Sequence, residues 1–281
     1  MIQVQGLQFS YTKQPFIENM SFDVQNGEIF GFLGPSGAGK STLQKILTGL
    51  LTTYEGSARV NGTEVKRCDN SFYENIGVDF EFPSLYEKLT ARGNLRFFAS
   101  LYKRHQAIDP LLESVGLLCD ADKKVSDFSK GMKTRLNFIK ALLHDPTLLF
   151  LDEPTSGLDP SNARRMKDII LQEKANGKTI LLTTHNMYDA TELCDRVAFI
   201  VDGKLRALDT PRNLIMSRGA AKVWYTYSLN DREEQSEIPL NRTGEDNTLH
   251  RLLRENRLLS IHSSEPTLND IFVELTGRRL Q

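Results

Sequence analysis

Nine consecutive residues, Gly34-Pro-Ser-Gly-Ala-Gly-Lys-Ser-Thr42, constrain this chain more than any other stretch. They satisfy the spacing G-x-x-x-x-G-K-[ST], with Gly34, Gly39, Lys40 and Ser41 at its fixed places. Before them, Glu28-Ile-Phe-Gly-Phe-Leu33 is the short apolar run of a strand buried on both faces, and after them Leu43, Ile46, Leu47 and Leu50 recur at helical spacing. The loop therefore joins a strand to a helix. A helix N-terminus presents unpaired backbone N–H groups and a partial positive charge, and glycines let the backbone close around an anion. Lys40 is placed to reach the terminal phosphates and Ser41 to coordinate Mg²⁺, while Pro35, Ser36, Gly37, Ala38 and Thr42 complete the cradle. The expectation is a chain that binds a nucleoside triphosphate.

Strand-like runs at 2–4, 16–24, 28–33, 57–60, 148–151, 179–183 and 196–201 alternate with helix-period segments. The first ~215 residues thus read as an α/β unit around a largely parallel sheet, with antiparallel edge strands within the first ~60. Leu95, Phe98, Ala99 and Tyr102 fall at i, i+3, i+4 and i+7, and a second helical patch follows at 111–115, which together suggest a helical insertion at about 82–145. Beyond Pro211 the character changes. Residues 222–229 alternate aromatic and polar, 231–237 read as an acidic loop, 249–257 as a helix and 258–262 as a strand, and Leu268, Ile271, Phe272 and Leu275 mark a last helix closed by Gly277. A boundary near 217–221 gives a large domain, 1–217, and a small α+β accessory domain, 218–281, with no catalytic motif of its own.

A formal net charge of −1 gives no bulk basic field, so nucleic acid is not an expected partner. The three cysteines, Cys68, Cys119 and Cys194, are scattered and lack C-x-x-C spacing, which suits reduced thiols better than disulfides or zinc. Met1-Ile-Gln-Val-Gln reads as an immediate strand and not as a leader. No apolar run approaches the ~18–20 residues that span a bilayer, so any membrane spans belong to another chain.

Thr147-Leu-Leu-Phe-Leu-Asp-Glu153 is an apolar strand ending in two carboxylates. Beside a phosphate loop, Asp152 is placed to hold Mg²⁺ and Glu153 to act as the base that polarises the attacking water, because phosphoryl transfer needs mainly positioning and charge. Thr179-Ile-Leu-Leu-Thr-Thr-His185 is a second buried strand that delivers a histidine to the same rim, where ligands collect in a doubly wound sheet. His185 is thereby a candidate γ-phosphate contact. In Asp127-Phe-Ser-Lys-Gly-Met132, Ser129 is a plausible N-cap and Gly131 allows close approach to an anion. That segment reads either as an ordinary helix start or as a second phosphate site.

Phosphate loop, Phe128-Ser-Lys-Gly-Met132, Leu151-Asp-Glu-Pro-Thr155, Ser156-Gly-Leu-Asp159 and His185, in this order, resemble the nucleotide-binding subunits of ATP-binding cassette (ABC) transporters over roughly residues 2–210. The resemblance implies an α/β P-loop NTPase fold of the ABC type, with an antiparallel edge sheet, a helical insertion and a small α+β C-terminal appendage. It implies ATP hydrolysis with Mg²⁺ and a head-to-tail dimer, homomeric or heteromeric, in which each ATP lies between one subunit's Gly34–Thr42 and the other's Ser129, Gly131 and Met132. Asp159 then lies in the loop that crosses the dimer interface, and Tyr11 falls where the family stacks an aromatic on adenine. Integral membrane permease subunits would be the partners, at the cytoplasmic face of the membrane. Ser-Lys-Gly-Met is similar to the variant of export-type ATPases for drugs, antibiotics and lipid or polysaccharide cargo. The alternative is a soluble ABC-type ATPase uncoupled from a membrane channel, but the stretch between Thr42 and Ser129 has no heptads for the coiled coil of repair members, and only one cassette is present. Aligned with the family, Glu81 stands where a glutamine normally contacts Mg²⁺ and water. An ionised glutamate only accepts hydrogen bonds, although it is the better metal ligand. The same replacement characterises ATPases of lantibiotic self-immunity transporters, and Glu81 is expected to point into solvent, on mobile flanks, until nucleotide closes the site.

Overall fold

Three runs without polar alternation form the centre of the structure. The computed structural model describes residues 1–218, 222–229, 232–264 and 266–277. Its chain begins β1 (Ile2–Phe9), β2 (Ile17–Val24), β3 (Ile29–Leu33), α1 (Lys40–Leu47), β4 (Glu55–Val60), β5 (Thr63–Glu64), α2 (Asn70–Tyr73), β6 (Ile76–Asp79). It continues with α3 (Ala91–Ala99), α4 (Ile108–Ser114), α5 (Lys130–Leu142), β7 (Leu148–Asp152), α6 (Pro160–Ala175), β8 (Thr179–Thr184), α7 (Met187–Leu193), β9 (Arg196–Val201) and β10 (Lys204–Asp209). Every residue of β3, β7 and β8 is buried, as expected of strands covered on both faces.

These strands lie inside a six-stranded sheet of order β10-β9-β3-β8-β7-β6. All neighbours are parallel except β10, which turns back antiparallel on β9. A separate four-stranded antiparallel sheet, β2-β1-β4-β5, carries the antiparallel edge expected of the first residues. The two sheets share a core. Phe22 of β2 stacks on Phe30 and meets Phe32 edge-on at 5.1 Å, while Leu43, Ile46 and Leu47 of α1 join the same cluster. Burying each of these side chains contributes about 1.5–3 kcal/mol. Leu50, predicted on the same apolar stripe, lies beyond the end of α1 and is exposed.

Between β6 and β7 the helices α3, α4 and α5 pack on one another, and α5 also contacts β6 and β7. The first of them starts earlier than its apolar spacing suggests, because Thr90 caps it by accepting the Gly93 N–H at 2.9 Å. Among the described residues no helix is long and apolar enough to cross a membrane.

One compact unit covers Met1–Thr210 and a second begins at Pro211. The division falls ahead of α8 (Pro211–Arg218), where the sequence changes character, and not at the expected 217–221, because α8 packs on the last helix. Part of the 217–221 boundary lies outside the described residues. The second unit continues with β11 (Lys222–Leu229), β12 (Arg232–Pro239), α9 (Asn247–Arg254), β13 (Leu258–Ser264) and α10 (Leu268–Thr276), with sheet order β12-β11-β13. Val223 and Tyr225 bury against Leu249 and Leu252 of α9. The expected acidic loop is instead the strand β12, with Asp231 outside the described residues. It pairs with β11 over its whole length, and its acidic side chains stay in water, where charge does not oppose backbone pairing.

The seam between α5 and β6 leaves no room for a side chain at Gly77. A methyl there would lie 2.1 Å from the Ala141 carbonyl oxygen and 2.8 Å from Leu149 and Pro146. Gly77→Ala is therefore expected to destabilise the first unit by about 1–3 kcal/mol. Urea unfolding reads this directly, and an unchanged midpoint would contradict the packing described.

Candidate functional site

The turn from β3 into α1 depends on Gly39, whose φ of 109° is open to glycine and strained for other residues. Lys40 follows as the first helical residue and is 8% exposed. Its ammonium donates to the carbonyl oxygens of Gly34 at 2.7 Å and Pro35 at 3.1 Å. Burial holds its pKa below the usual lysine range, while the carboxylates of Glu153, Asp152 and Glu81 pull the other way. The loop is anchored from behind, since the Ala38 carbonyl accepts the Gly203 N–H at 3.0 Å.

Strand register brings the acids to the same place. Asp152 ends β7 opposite Thr183 of β8, and the buried Thr183 hydroxyl donates to its carboxylate. Glu153 follows with φ 52°, a left-handed conformation unusual for a residue with a side chain and worth of order 1–3 kcal/mol of strain. Three contacts hold it there. Its N–H donates to the Thr183 carbonyl at 3.0 Å, its carboxylate accepts the Thr184 hydroxyl at 3.1 Å, and its other oxygen lies 2.8 Å from His185 Nδ1.

Loop and acids face each other across a cleft of about 210 Å³. Its lining combines Ser36, Gly37, Gly39, Lys40, Ser41 and Thr42 of the loop with Glu81, Asp152, Glu153, His185 and Phe16. Tyr11 is exposed and does not line the cleft. Its hydroxyl pairs with Thr42 Oγ1 at 3.0 Å and its ring meets Phe16 edge-on at 5.5 Å. Glu81 is an exposed residue that lines this cleft and also borders a smaller one of about 70 Å³ shared with Lys130, Thr134, Asn137 and Ser156. Behind it Asp79 is fully buried, and desolvation pushes its carboxyl up to about 7 against the opposing pull of Lys140.

Ser129 caps α5 by accepting the Met132 N–H at 3.2 Å, and Asp159 caps α6 by accepting the N–H groups of Ser161 and Asn162. Neither they nor Gly131 and Met132 line the 210 Å³ cleft of their own chain. Phe16, Thr183, Thr184 and Lys130 belong to the surroundings of the site without having been singled out in the sequence. The paired threonines immediately before His185 were a readable signal, whereas Phe16 looked like any strand-opening aromatic.

The family profile described as ABC transporter matches residues 17–156. A fluoroquinolones export ATP-binding protein of Mycobacterium tuberculosis is 52% identical, covering 100% of this chain and 94% of that protein. A Nod factor export ATP-binding protein I of Neorhizobium galegae is 36% identical over 100% of this chain and 86% of its own length. Among solved structures, an ATP-binding subunit of an ABC transporter superposes with TM-score 0.72 at 32% identity, covering 77% of this chain and 92% of that one. A dimeric ATP-binding cassette in a post-hydrolysis state with ADP and Pi shares the fold at TM-score 0.68 and 22% identity, covering 75% of this chain and 98% of that one.

The hydroxyl on Asp152 can be removed without changing shape. Thr183→Val leaves a buried carboxylate oxygen without its donor, and the expected loss is about 1–3 kcal/mol of unfolding free energy. Because valine suits a strand at least as well, equal stability of the two proteins would refute the assigned bond.

Proposed function

The chain belongs to the ABC transporter family as one of its ATP-binding and ATP-hydrolysing subunits, and we propose that it powers export of a drug-, antibiotic- or peptide-like molecule through separate membrane subunits. One observation carries the catalytic reading: the strained Glu153, tied to His185, faces the phosphate loop across a single cleft. The cargo class follows the relatives, whose names specify export of fluoroquinolones and of Nod factor.

In this reading the N–H groups of Gly37 to Thr42 and the Lys40 ammonium hold the phosphate charge. Glu153 takes a proton from the attacking water as the new P–O bond forms. The bond from the γ-phosphorus to the bridging oxygen breaks, giving ADP and phosphate. His185 fixes the carboxylate through Nδ1 and leaves its other ring nitrogen for a phosphate oxygen. The oxygen donors of Ser41, Asp152 and Glu81 fit a hard cation such as Mg²⁺, which when bound neutralises charge on the phosphates. Among the described residues no set of three or more His, Cys, Asp or Glu could hold a metal alone.

Ser129, Gly131, Met132 and Asp159 stand apart from the cleft of their own chain, which supports their serving the nucleotide of a second ATPase subunit placed head to tail. Tyr11 remains the proposed adenine contact, with Phe16 beside it. Exposed Phe82, Tyr86, Leu89, Phe97 and Leu101 give the helical insertion an apolar surface suited to a membrane permease, and the proposed location is the cytoplasmic face of the membrane. The C-terminal unit is proposed as an accessory module. Co-purification with a membrane polypeptide tests the transporter reading against an uncoupled ATPase.

Two substitutions separate chemistry from binding. Glu153→Gln should retain ATP affinity while turnover falls roughly 10²–10⁴-fold, the usual cost of removing a general base. Wild-type turnover in that variant would remove Glu153 from the role. Lys40→Ala should instead weaken binding of Mg-ATP in calorimetric titration, since its charge compensates the β- and γ-phosphates. Unchanged affinity would contradict the assigned loop.

A further inference from the structure

Glu81 lies in irregular backbone, yet the chain on both sides of it is fastened to one helix. The Asn137 side chain of α5 donates from Nδ2 to the Asp79 carboxylate and to the Phe80 carbonyl, the latter at 3.2 Å. One turn on, Lys140 donates to the Ser84 carbonyl at 3.2 Å and to Asn137 Oδ1 at 2.7 Å, and its ammonium lies 4.9 Å from the centroid of the Phe98 ring. Asn137 and Lys140 share a helix face at i, i+3. Both amide protons and the amide oxygen of Asn137 are thereby engaged, so the group has no alternative orientation that keeps its bonds. Asp79 and Asn137 are 3% and 2% exposed, so little of either partner is open to bulk solvent.

The same helix begins at the Ser129 cap, about 12 Å along its axis from Asn137 at 1.5 Å per residue. We propose that Asp79 and Asn137 are positioning residues that lock the backbone around Glu81 to α5, so that the place of Glu81 in the nucleotide cleft and the place of the Ser129–Met132 end are set together. The expected mobile flanks of Glu81 are thus replaced by a clamp at Phe80 and Ser84. The inference rests on Glu81 acting in the nucleotide cleft. Asp79 and Asn137 touch no nucleotide in this scheme and act only through Glu81 and the helix.

The test uses the full chain, with ATPase turnover, nucleotide binding and thermal unfolding measured on each variant. Asn137→Asp sets two buried carboxylates against each other, and Asn137→Ala removes the amide while avoiding that charge conflict. In either, turnover should fall about tenfold or more while ATP affinity stays within about threefold, because the phosphate loop is untouched. Exchanging the pair, Asp79→Asn with Asn137→Asp, restores one carboxylate and one amide and should return turnover to within about threefold of wild type. Glu81→Ala should then cost much less in the Asn137→Ala background than in the wild type, a non-additivity expected of residues acting through one another. Additive effects, or an exchanged pair that folds with no recovery, overturn the clamp. Wild-type turnover in Glu81→Ala alone overturns the placement of Glu81 itself, and the clamp with it.

Discussion

One buried ammonium organises this molecule. Lys40 shares one cleft with three carboxylates, Asp152, Glu153 and Glu81, which oppose the downward pull of burial on its pKa. The acids keep the charge worthwhile, and the lysine offsets their mutual repulsion in a space that must also admit an anion. Such a balance tolerates little positional error, since charge interactions strengthen as separation falls. Hence Asp152 and Glu153 come from the end of a strand that is buried throughout and held in register, and the lysine from a turn that only glycine closes easily.

The strain at Glu153 belongs to the same economy of position. A left-handed residue is retained when its surroundings over-determine it, and three hydrogen-bonding partners on β8 and just past its end do so here. That arrangement turns the side chain out of the strand's alternation and toward His185. A regular strand continuing past Asp152 would send the next side chain to the opposite face.

Much of this was readable from the residues. The phosphate loop, the acids ending one apolar run and the histidine ending another are local patterns, and β3, β7 and β8 are legible as short apolar runs without polar alternation. What escaped was relational. Arg232–Pro239 looks like a loop until β11 offers it backbone partners, and the bonds from Asn137 and Lys140 to the chain around Glu81 join positions far apart in sequence. Phe16 lines the cleft while Tyr11 turns its hydroxyl to Thr42, a distinction decided by ring packing that single-residue chemistry does not encode.

The acidic strand of the C-terminal unit limits how copies of this chain can meet. β12 is an edge strand whose exposed residues include Glu233, Glu234 and Glu237. If two such edges joined to extend one sheet across copies, carboxylates would be brought side by side at the seam, and facing like charges destabilise strand pairing. The unit thus carries a charged border that discourages sheet-to-sheet polymerisation between copies.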